Sequence, residues 1–457
     1  MNNKYYPPQH PISERMSLEN EVLLRIIPTE EQKRRVAAAT RQLVVSVRKE
    51  VERMELDLKV ILVGSVAKDT YLYKPDIDVF VAFPPNTDRG DLEAIGLYLG
   101  KRILGGEQRY AEHPYIHGVW QGFEVDLVPC YDLKKAEDLQ SAVDRTPFHT
   151  QYIKDHLLEE QRDQVRLLKQ FMKGIGVYGA EAKVQGFSGY LVELLILKYG
   201  DFCSVMKQAI AWRKGETLFL EGRPTARFST PLVFFDPVDP KRNVSSALSL
   251  ASHSRFVFAC QEYLHEPRLS FFFPRPRRAW TAKRIEREVK RRGTALIAVR
   301  MHRPDLIDDN LYPQIRKTLE GAEALLEAQE FCVVDKAFHL EGQRITLLYE
   351  LMTECLPKGK KHLGPPVWIP NSTEFLEKWK GKAISGPFIE GDRWVAQVPR
   401  KHVQATKMLR KEMRSAAIGA DLKPLKGLEI LDHDSVLHSD MRTEITELLD
   451  KTWPWDR

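Results

Sequence analysis

The stretch "GSVAKDTYLYKPDIDVFVAF", Gly64 to Phe83, constrains the fold more than any other. It sets two aspartates, Asp76 and Asp78, inside an apolar β-type run. A charge in such a place is costly unless something pairs with it. Residues two apart in a strand face the same side. Ile77, Val79, Val81 and Phe83 therefore share one face, and Asp76 and Asp78 the other. In "FEVDLVPC", Phe123, Val125 and Leu127 alternate in the same way with Glu124 and Asp126. If the two strands are neighbours, Asp126 joins the aspartate pair. Three such carboxylates repel one another and push a pKa upward, and a divalent cation removes that conflict. Hard oxygen ligands suit Mg²⁺, or Mn²⁺, bound together with substrate phosphates.

The preceding turn supplies the other half of a phosphate site. Gly64 and Ser65 follow the apolar strand "KVILV", where a glycine turn and its N–H groups can cradle phosphate oxygens, and Lys68 lies within reach of the same anion. A Gly-Ser turn, an Asp-apolar-Asp strand and a third aspartate in a later strand suit metal-assisted phosphoryl or nucleotidyl transfer.

The formal charge of +6 is modest for 457 residues, and its distribution matters more. Arg268, Arg275, Arg277 and Arg278 precede Lys283, Arg284, Arg287, Lys290, Arg291 and Arg292, and only Glu286 and Glu288 oppose them before Arg303. With "LSFFFP" and Trp280 alongside, this stripe reads as a phosphate-backbone footprint. The five cysteines are scattered with no CxxC pair, which excludes a disulfide framework or a cysteine zinc site. The polar, proline-rich opening lacks a signal-peptide core, and no run is long and apolar enough for a membrane span. The expectation is a cytoplasmic protein without a membrane partner.

Residues 17–58 read as helical, with Ser17 and Thr29 as N-caps. "KVILVGS", "DIDVFVAF" and "FEVDLVPC" read as strands, with helical "DLEAIGLYLGKRIL" between the last two. From about 155 to 265 the pattern is helical, with Ser188 and Asp201 as N-caps. The last part reads βαββ: "GTALIAVRM", the helix "NLYPQIRKTLEGAEALLEAQ", then "FCVVDKAFHL" and "RITLLYELM". That order predicts a small sheet with helices on one face, a layout common in RNA-binding domains. "PKGKKHLGPPVWIPNS" reads as a loop or subdomain boundary.

The signature of Gly-Ser turn, Asp-x-Asp strand and distal carboxylate resembles the nucleotidyltransferase superfamily. "YAEHPYIHG", "EVDLVPCY", "SAVDRTPFHT", "QVRLLKQFMKGIGVYGAE", "GFSGYLVELLI", "DPVDPKRNV" and "DDNLYPQ" narrow the likeness to the archaeal-type, class I CCA-adding tRNA nucleotidyltransferases. It is dense through residues 60–316 and thinner after about 330, where "GPFIEGDRWVAQVPRK" carries it.

The resemblance implies an α+β multidomain chain. Its parts would be a polymerase-β-like nucleotidyltransferase head with a mixed sheet (1–154), a helical neck (155–266) and an α/β, RNA-binding body (267–457). A tail subdomain would be inserted around 358–415. The implied activity is template-free addition of C, C and A to the tRNA 3′ end from CTP and ATP, releasing pyrophosphate, with homodimers among the family's assemblies. By resemblance Asp76, Asp78 and Asp126 hold two Mg²⁺ ions, and Ser65, Lys68, Lys169 and Tyr178 contact the triphosphate. His149 with Thr146 lies near the nucleotide, and Arg242 helps read the base edge. Ser65, Lys68, Arg300, Asp308, Asn310 and Tyr312 contact tRNA. Asp76 and Lys68 stand where many members have Glu and Arg, and a lysine cannot reproduce a bidentate arginine fork. On chemistry alone Lys169 falls opposite its helix's apolar face, where lysines are solvated.

Two other readings compete. A poly(A) polymerase or oligoadenylate synthetase on the same core predicts ATP-only use, and the matches outside the core disfavour it. A non-catalytic tRNA-binding relative predicts a broken carboxylate set, and all three carboxylates are present.

Overall fold

A computed structural model describes residues 17–110, 112–222, 226–370 and 372–457. The proline-rich opening, expected to lack a signal-peptide core, lies outside the described residues. The chain divides into two compact units, Met1–Pro276 with Thr452–Arg457, and Arg277–Lys451. No helix of the described residues is long and apolar enough to cross a membrane.

In the first unit the expected caps form. Ser17 and Thr29 side chains accept from Asn20 N at 3.3 Å and Gln32 N at 3.2 Å, opening α1 (Leu18–Ile26) and α2 (Glu30–Arg53). The chain continues through β1 (Lys59–Val63), the short helix α3 (Gly64–Lys68), β2 (Ile77–Phe83), α4 (Arg89–Leu104), β3 (Glu107–Tyr110), β4 (Pro114–Trp120) and β5 (Phe123–Tyr131). These strands form one mixed sheet in the order β1-β2-β5-β4-β3. β2 and β5 run parallel, and the other neighbours are antiparallel. Ile77, Val79, Val81 and Phe83 bury against Leu43, Val47, Leu92 and Leu99. The opposite face is charged only at its start, because Phe80 and Ala82 enter a second cluster with Val63, Val128 and Cys130.

The following segment holds α5 (Arg145–His156), α6 (Glu159–Gly174), α7 (Gly189–Tyr199) and α8 (Phe202–Ala209). A short parallel pair, β6 (Glu216–Leu218) and β7 (Leu232–Phe234), then precedes α9 (Leu250–His265), where the periodicity predicts only helices. Ser188 and Asp201 cap as expected, accepting from Leu191 N at 3.2 Å and Ser204 N at 2.7 Å. Phe171, Phe202, Phe256 and Tyr263 centre one apolar core.

The second unit begins with α10 (Ala282–Arg292) and the expected βαββ run: β8 (Ala295–His302), α11 (Asp308–Ala328), β9 (Val333–Glu341) and β10 (Arg344–Leu351). "GKKHLGPP", expected in a loop, is instead strand β11 (Gly359–Pro366). With α12 (Ser372–Trp379), β12 (Ser385–Glu390) and β13 (Arg393–Pro399) it builds a separate sheet ordered β11-β13-β12. β11 is an edge strand with its register break at Leu363/Pro366, and an edge tolerates proline's missing N–H. α13 (Ala405–Glu412) follows, and β14 (Glu429–Leu431) returns to pair with β8 before α14 (His433–Leu437) and α15 (Arg442–Leu449). Helices cover both faces of this sheet rather than one. Ile297, Val299 and Met301 pack with Leu311 and Ile315, while Leu296 and Ala298 pack with Ile285, Val289 and Ile445.

Candidate active site

The parallel register of β2 and β5 sets Asp78 directly beside Asp126, with Ile77 beside Val125. Asp76 leads into β2, so all three expected carboxylates gather at one end of the sheet. Antiparallel β1 brings Val63 opposite Asp78 and delivers the glycine turn to the same place. Gly64 has φ +71° there, and an added Cβ would fall 2.8 Å from the Asp78 carboxyl carbon and closer still to its Oδ2. Only a residue without a side chain permits this approach and this backbone conformation.

The carboxylates oppose one another. Asp78, half-buried by area yet walled in by protein, is pushed up to about 7, first by lost hydration and then by the charges of Asp126 and Asp76. Lys68 partly offsets this. Asp76 is raised too, by lost hydration first and by Asp126 next, although much of its surface is open. Among the described residues, donor atoms of the three do not all close to within 4.8 Å of one another. His117 bridges two of the acids near it, its Nδ1 2.7 Å from Asp126 Oδ1 and its Nε2 2.7 Å from Glu124 Oε2. An all-carboxylate set with excess negative charge is the donor chemistry of a hard divalent cation, so the residues fit one.

Around this cluster lie two networks that pattern reasoning missed. Lys68 is not free at the end of α3: its Nζ bonds Glu193 Oε2 at 2.6 Å. Lys169, expected on a solvated face, is buried, with Nζ at 3.3 Å from Glu193 Oε1 and 3.1 Å from both Thr70 O and Oγ1. Burial draws Lys169 down to about 8, and the Glu193 charge opposes the fall. Glu193 itself is fully buried; burial alone would raise its carboxyl, but Lys68 and Lys169 hold it below the ordinary range. Arg166, also buried, donates to Asp69 O at 2.7 Å and Tyr71 O at 2.9 Å, so α6 grips the segment after α3 at three consecutive residues. Tyr178 is half-buried after α6, with the Lys173 Nζ 5.3 Å from its ring centre. Burial raises its hydroxyl, and the charges of Glu193 and Asp76 add to that.

The second network centres on Asp236, which follows β7. His149 Nε2 lies 2.8 Å and Arg242 Nη1 2.9 Å from its Oδ2. Tyr190 Oη donates to Oδ1 at 3.1 Å, and the His149 ring stacks on Tyr190 at 3.9 Å. His149 and Arg242, separate expectations, thus meet at one buried carboxylate, and Thr146 lies one turn earlier on α5. One helix, α7, carries both Tyr190 and Glu193. Both missed acids carried the same signal as Asp78, a carboxylate in or after an apolar run ("GYLVELLILKY", "PLVFFD").

In the second unit the expected RNA contacts spread out. Arg300 on β8 pairs with Asp440 at 2.9 Å, and Asp308 at the start of α11 pairs with Arg303 at 3.0 Å. Asn310 is exposed. Tyr312, expected at the RNA surface, is buried instead, because it falls on the apolar face of α11 and packs edge-on to Phe338 at 5.7 Å. Lys283, Arg287 and Lys290 are exposed on α10, whereas Arg292 is tied to Glu350 at 3.1 Å.

Residues 44–152 match the family model of the nucleotidyltransferase domain. Residues 163–273 match that of the tRNA nucleotidyltransferase second domain, and residues 292–432 that of the CCA-adding enzyme C-terminal domain. The chain is 38% identical to the CCA-adding enzyme of Methanosarcina acetivorans, across 90% of this chain and 92% of that one. To the enzyme of Methanothermobacter thermautotrophicus it is 42% identical, across 85% and 86%. Among solved structures, the Cid1 poly (U) polymerase with Mg 3'-dATP bound overlays 56% of this chain and 96% of its own, at 15% identity and a TM-score of 0.44, too loose a likeness to bear on substrate.

Proposed function

The chain belongs to the CCA-adding enzyme family of tRNA nucleotidyltransferases, and from that membership we propose how its residues carry the reaction. The activity is addition of CCA to the 3′ end of tRNA, on a polymerase-β-like core that uses divalent metal. The observation that carries the residue assignment is the register of Asp78 beside Asp126, with Gly64 pressed against them.

Asp76, Asp78 and Asp126 would hold two Mg²⁺ ions, which when bound neutralise charge at the 3′-hydroxyl, the α-phosphate and the departing pyrophosphate. Mn²⁺ offers the same oxygen-seeking chemistry. Ser65 and Lys68 on α3 bind the triphosphate of CTP or ATP together with Lys169 and Tyr178. Glu193 holds the Lys68 and Lys169 ammonium groups together, so the anion meets cations already in place. Thr146, His149 and Arg242 surround the base, and the Arg242 fork supplies donors for cytosine O2 and N3 or adenine N1. Residues 1–154, 155–266 and 267–457, with a tail around 358–415, serve as catalytic head, neck and tRNA-gripping body. In the second unit Arg300, Asp308, Asn310 and the α10 cations contact tRNA, mainly through backbone and shape as A-form helices require. Tyr312 supports that surface from beneath.

The test is extension of a tRNA lacking CCA with CTP alone, ATP alone and both, in Mg²⁺, in Mn²⁺ and in chelator. The reading expects two residues with CTP, a third only when ATP is added, and none in chelator. ATP-dependent tails without CTP would overturn it.

A further inference from the structure

None of the Asp236 side chain is exposed, yet four donors reach it. Oδ2 accepts from His149 Nε2 and Arg242 Nη1, and Oδ1 accepts from Tyr190 Oη and from Val238 N at 3.0 Å. Its backbone N–H also donates to Arg242 O at 3.1 Å. Asp236 and Arg242 are therefore joined through both backbone and side chain. Burial alone would raise the Asp236 carboxyl, but the His149 bond and the Arg242 charge hold it below the ordinary range. Burial keeps His149 below its usual value, and the bond to Asp236 and its charge oppose that fall. Against an ionised carboxylate the ring nitrogen at this contact, Nε2, must carry a proton.

A buried ionic cluster is weak ground for stability, since packed apolar residues often serve as well. What this one does provide is orientation. Arg242 is 34% exposed, and among the described residues only its Nη1 is committed to a protein acceptor. The remaining donors of the planar fork are held in a fixed direction by the clamped nitrogen.

We propose that Asp236 is a positioning residue for nucleotide selection, clamping Arg242 so that the free guanidinium donors accept only bases with a bare ring nitrogen at the read edge. This rests on Arg242 reading the base. Cytosine N3 and adenine N1 are bare acceptors, whereas uracil N3 and guanine N1 carry a hydrogen and meet the fork donor to donor. Sites built around a required hydrogen bond reject the wrong pattern far better than apolar pockets do. A guanidinium free to swing reaches the carbonyl oxygens of uracil or guanine instead. Loss of the clamp therefore weakens the correct bases more than the wrong ones and relaxes selectivity.

The experiment uses the full chain and a tRNA lacking CCA. Single-turnover kcat/KM is measured for CTP against UTP at the first position, and for ATP against GTP at the last, in wild type, Asp236→Asn and Arg242→Ala. Asp236→Asn turns an amide NH₂ toward the His149 and Arg242 donors. The expected result is a fall of about tenfold or more in both selectivity ratios, with kcat/KM for UTP and GTP lost far less than for CTP and ATP. A merely structural role would lower all four together and leave the ratios unchanged, which would overturn the proposal. Should Asp236→Asn not fold, Asp236→Glu keeps the charge but moves the carboxylate outward, and the same fall is expected. Ratios unchanged in the aspartate variant but reduced in Arg242→Ala would sink the clamp alone. Ratios unchanged in Arg242→Ala would remove the base-reading role and the clamp with it.

Discussion

Replacing Gly64 by alanine tests the geometry of the site most directly. At φ +71° a non-glycine residue loses roughly 1–2 kcal/mol to the left-handed backbone conformation. That term is local and concerns stability. The second term is specific to this site: the new methyl overlaps the Asp78 carboxylate, whose Cγ would lie 2.8 Å from it. Asp78 cannot slide along its strand, because Val79 and Phe80 beyond it are buried on opposite faces. The side chain must rotate, and a shift of about 1 Å in a group that organises the reaction lowers the rate by about 10², near 3 kcal/mol in activation free energy. Gly105→Ala provides the control. Gly105 has φ +63° after α4, and an added Cβ there meets nothing within 4 Å. It carries the backbone term without the clash. The assay is single-turnover incorporation of C at saturating CTP and Mg²⁺, with thermal melting alongside. Both variants should melt lower by similar amounts, and only Gly64→Ala should lose about 10² in rate. A Gly64→Ala rate within threefold of wild type would refute the reasoning, as would an equal loss in Gly105→Ala.

Three further outcomes follow from the charge networks. Glu193→Gln leaves Lys68 and Lys169 without their anion, so Lys169 falls below its present value of about 8 and is neutral at a pH where the wild-type group is still charged. The KM for CTP should then rise about tenfold or more over wild type at pH 7.5 and recover at pH 6, since removing one partner of a buried pair costs about 3 kcal/mol or more; an unchanged KM at pH 7.5 would contradict it. Folded Asp78 keeps its proton up to about 7 against an ordinary 3.8, so the metal-free folded state binds the extra proton between those values and loses stability as pH rises through them. Melting in chelator should show that decline in wild type and a flatter profile in Asp78→Asn, and parallel profiles would count against the carboxylate clustering. Replacing Lys283, Arg287 and Lys290 by alanine should leave melting unchanged, weaken tRNA binding and reduce the slope of log Kd against log salt by about 0.7–0.9 per lost phosphate contact; an unaltered slope would remove α10 from the RNA surface.

The parts of this chain legible in advance are those where one residue announces its neighbours. The period-two alternation of "DIDVFVAF" and "FEVDLVPC" sets the acids on one side of their strands, and the β2–β5 register joins Asp78 to Asp126. Ser17, Thr29, Ser188 and Asp201 mark helix starts because a cap is a local bond within three residues. β3 escapes because all four of its residues are exposed, leaving no apolar alternation to read. β11 escapes because glycine and proline mark a turn unless the strand lies at an edge. The buried ions escape for a different reason. Thr70 meets Glu193 across 123 positions, and His149 meets Asp236 across 87. A lysine opposite an apolar stripe looks solvated until another helix is known to cover it.

The arrangement of β2 explains why the carboxylate conflict persists instead of relaxing. Beyond Asp78 the strand is buried on both sides, Val79, Val81 and Phe83 in one core and Phe80 and Ala82 in another. A one-residue slip in register would exchange the two sets and force each into the wrong cluster, so the register is strongly held. Asp76 and Asp78 are consequently fixed at the strand's start, opposite the equally fixed Asp126. Repulsion that cannot be relieved by backbone movement must be met by counter-charge or by proton uptake. The protein supplies counter-charge sparingly: Lys68 opposes Asp78 but is itself bonded to Glu193, and His117 is shared between Asp126 and Glu124. Lys68 is thus partly neutralised by an acid outside the cluster, and Lys173 opposes Asp76 without a hydrogen bond to it. The site retains a net demand for positive charge that divalent cations can meet, and the rigid cores on either side of β2 keep backbone movement from relieving it.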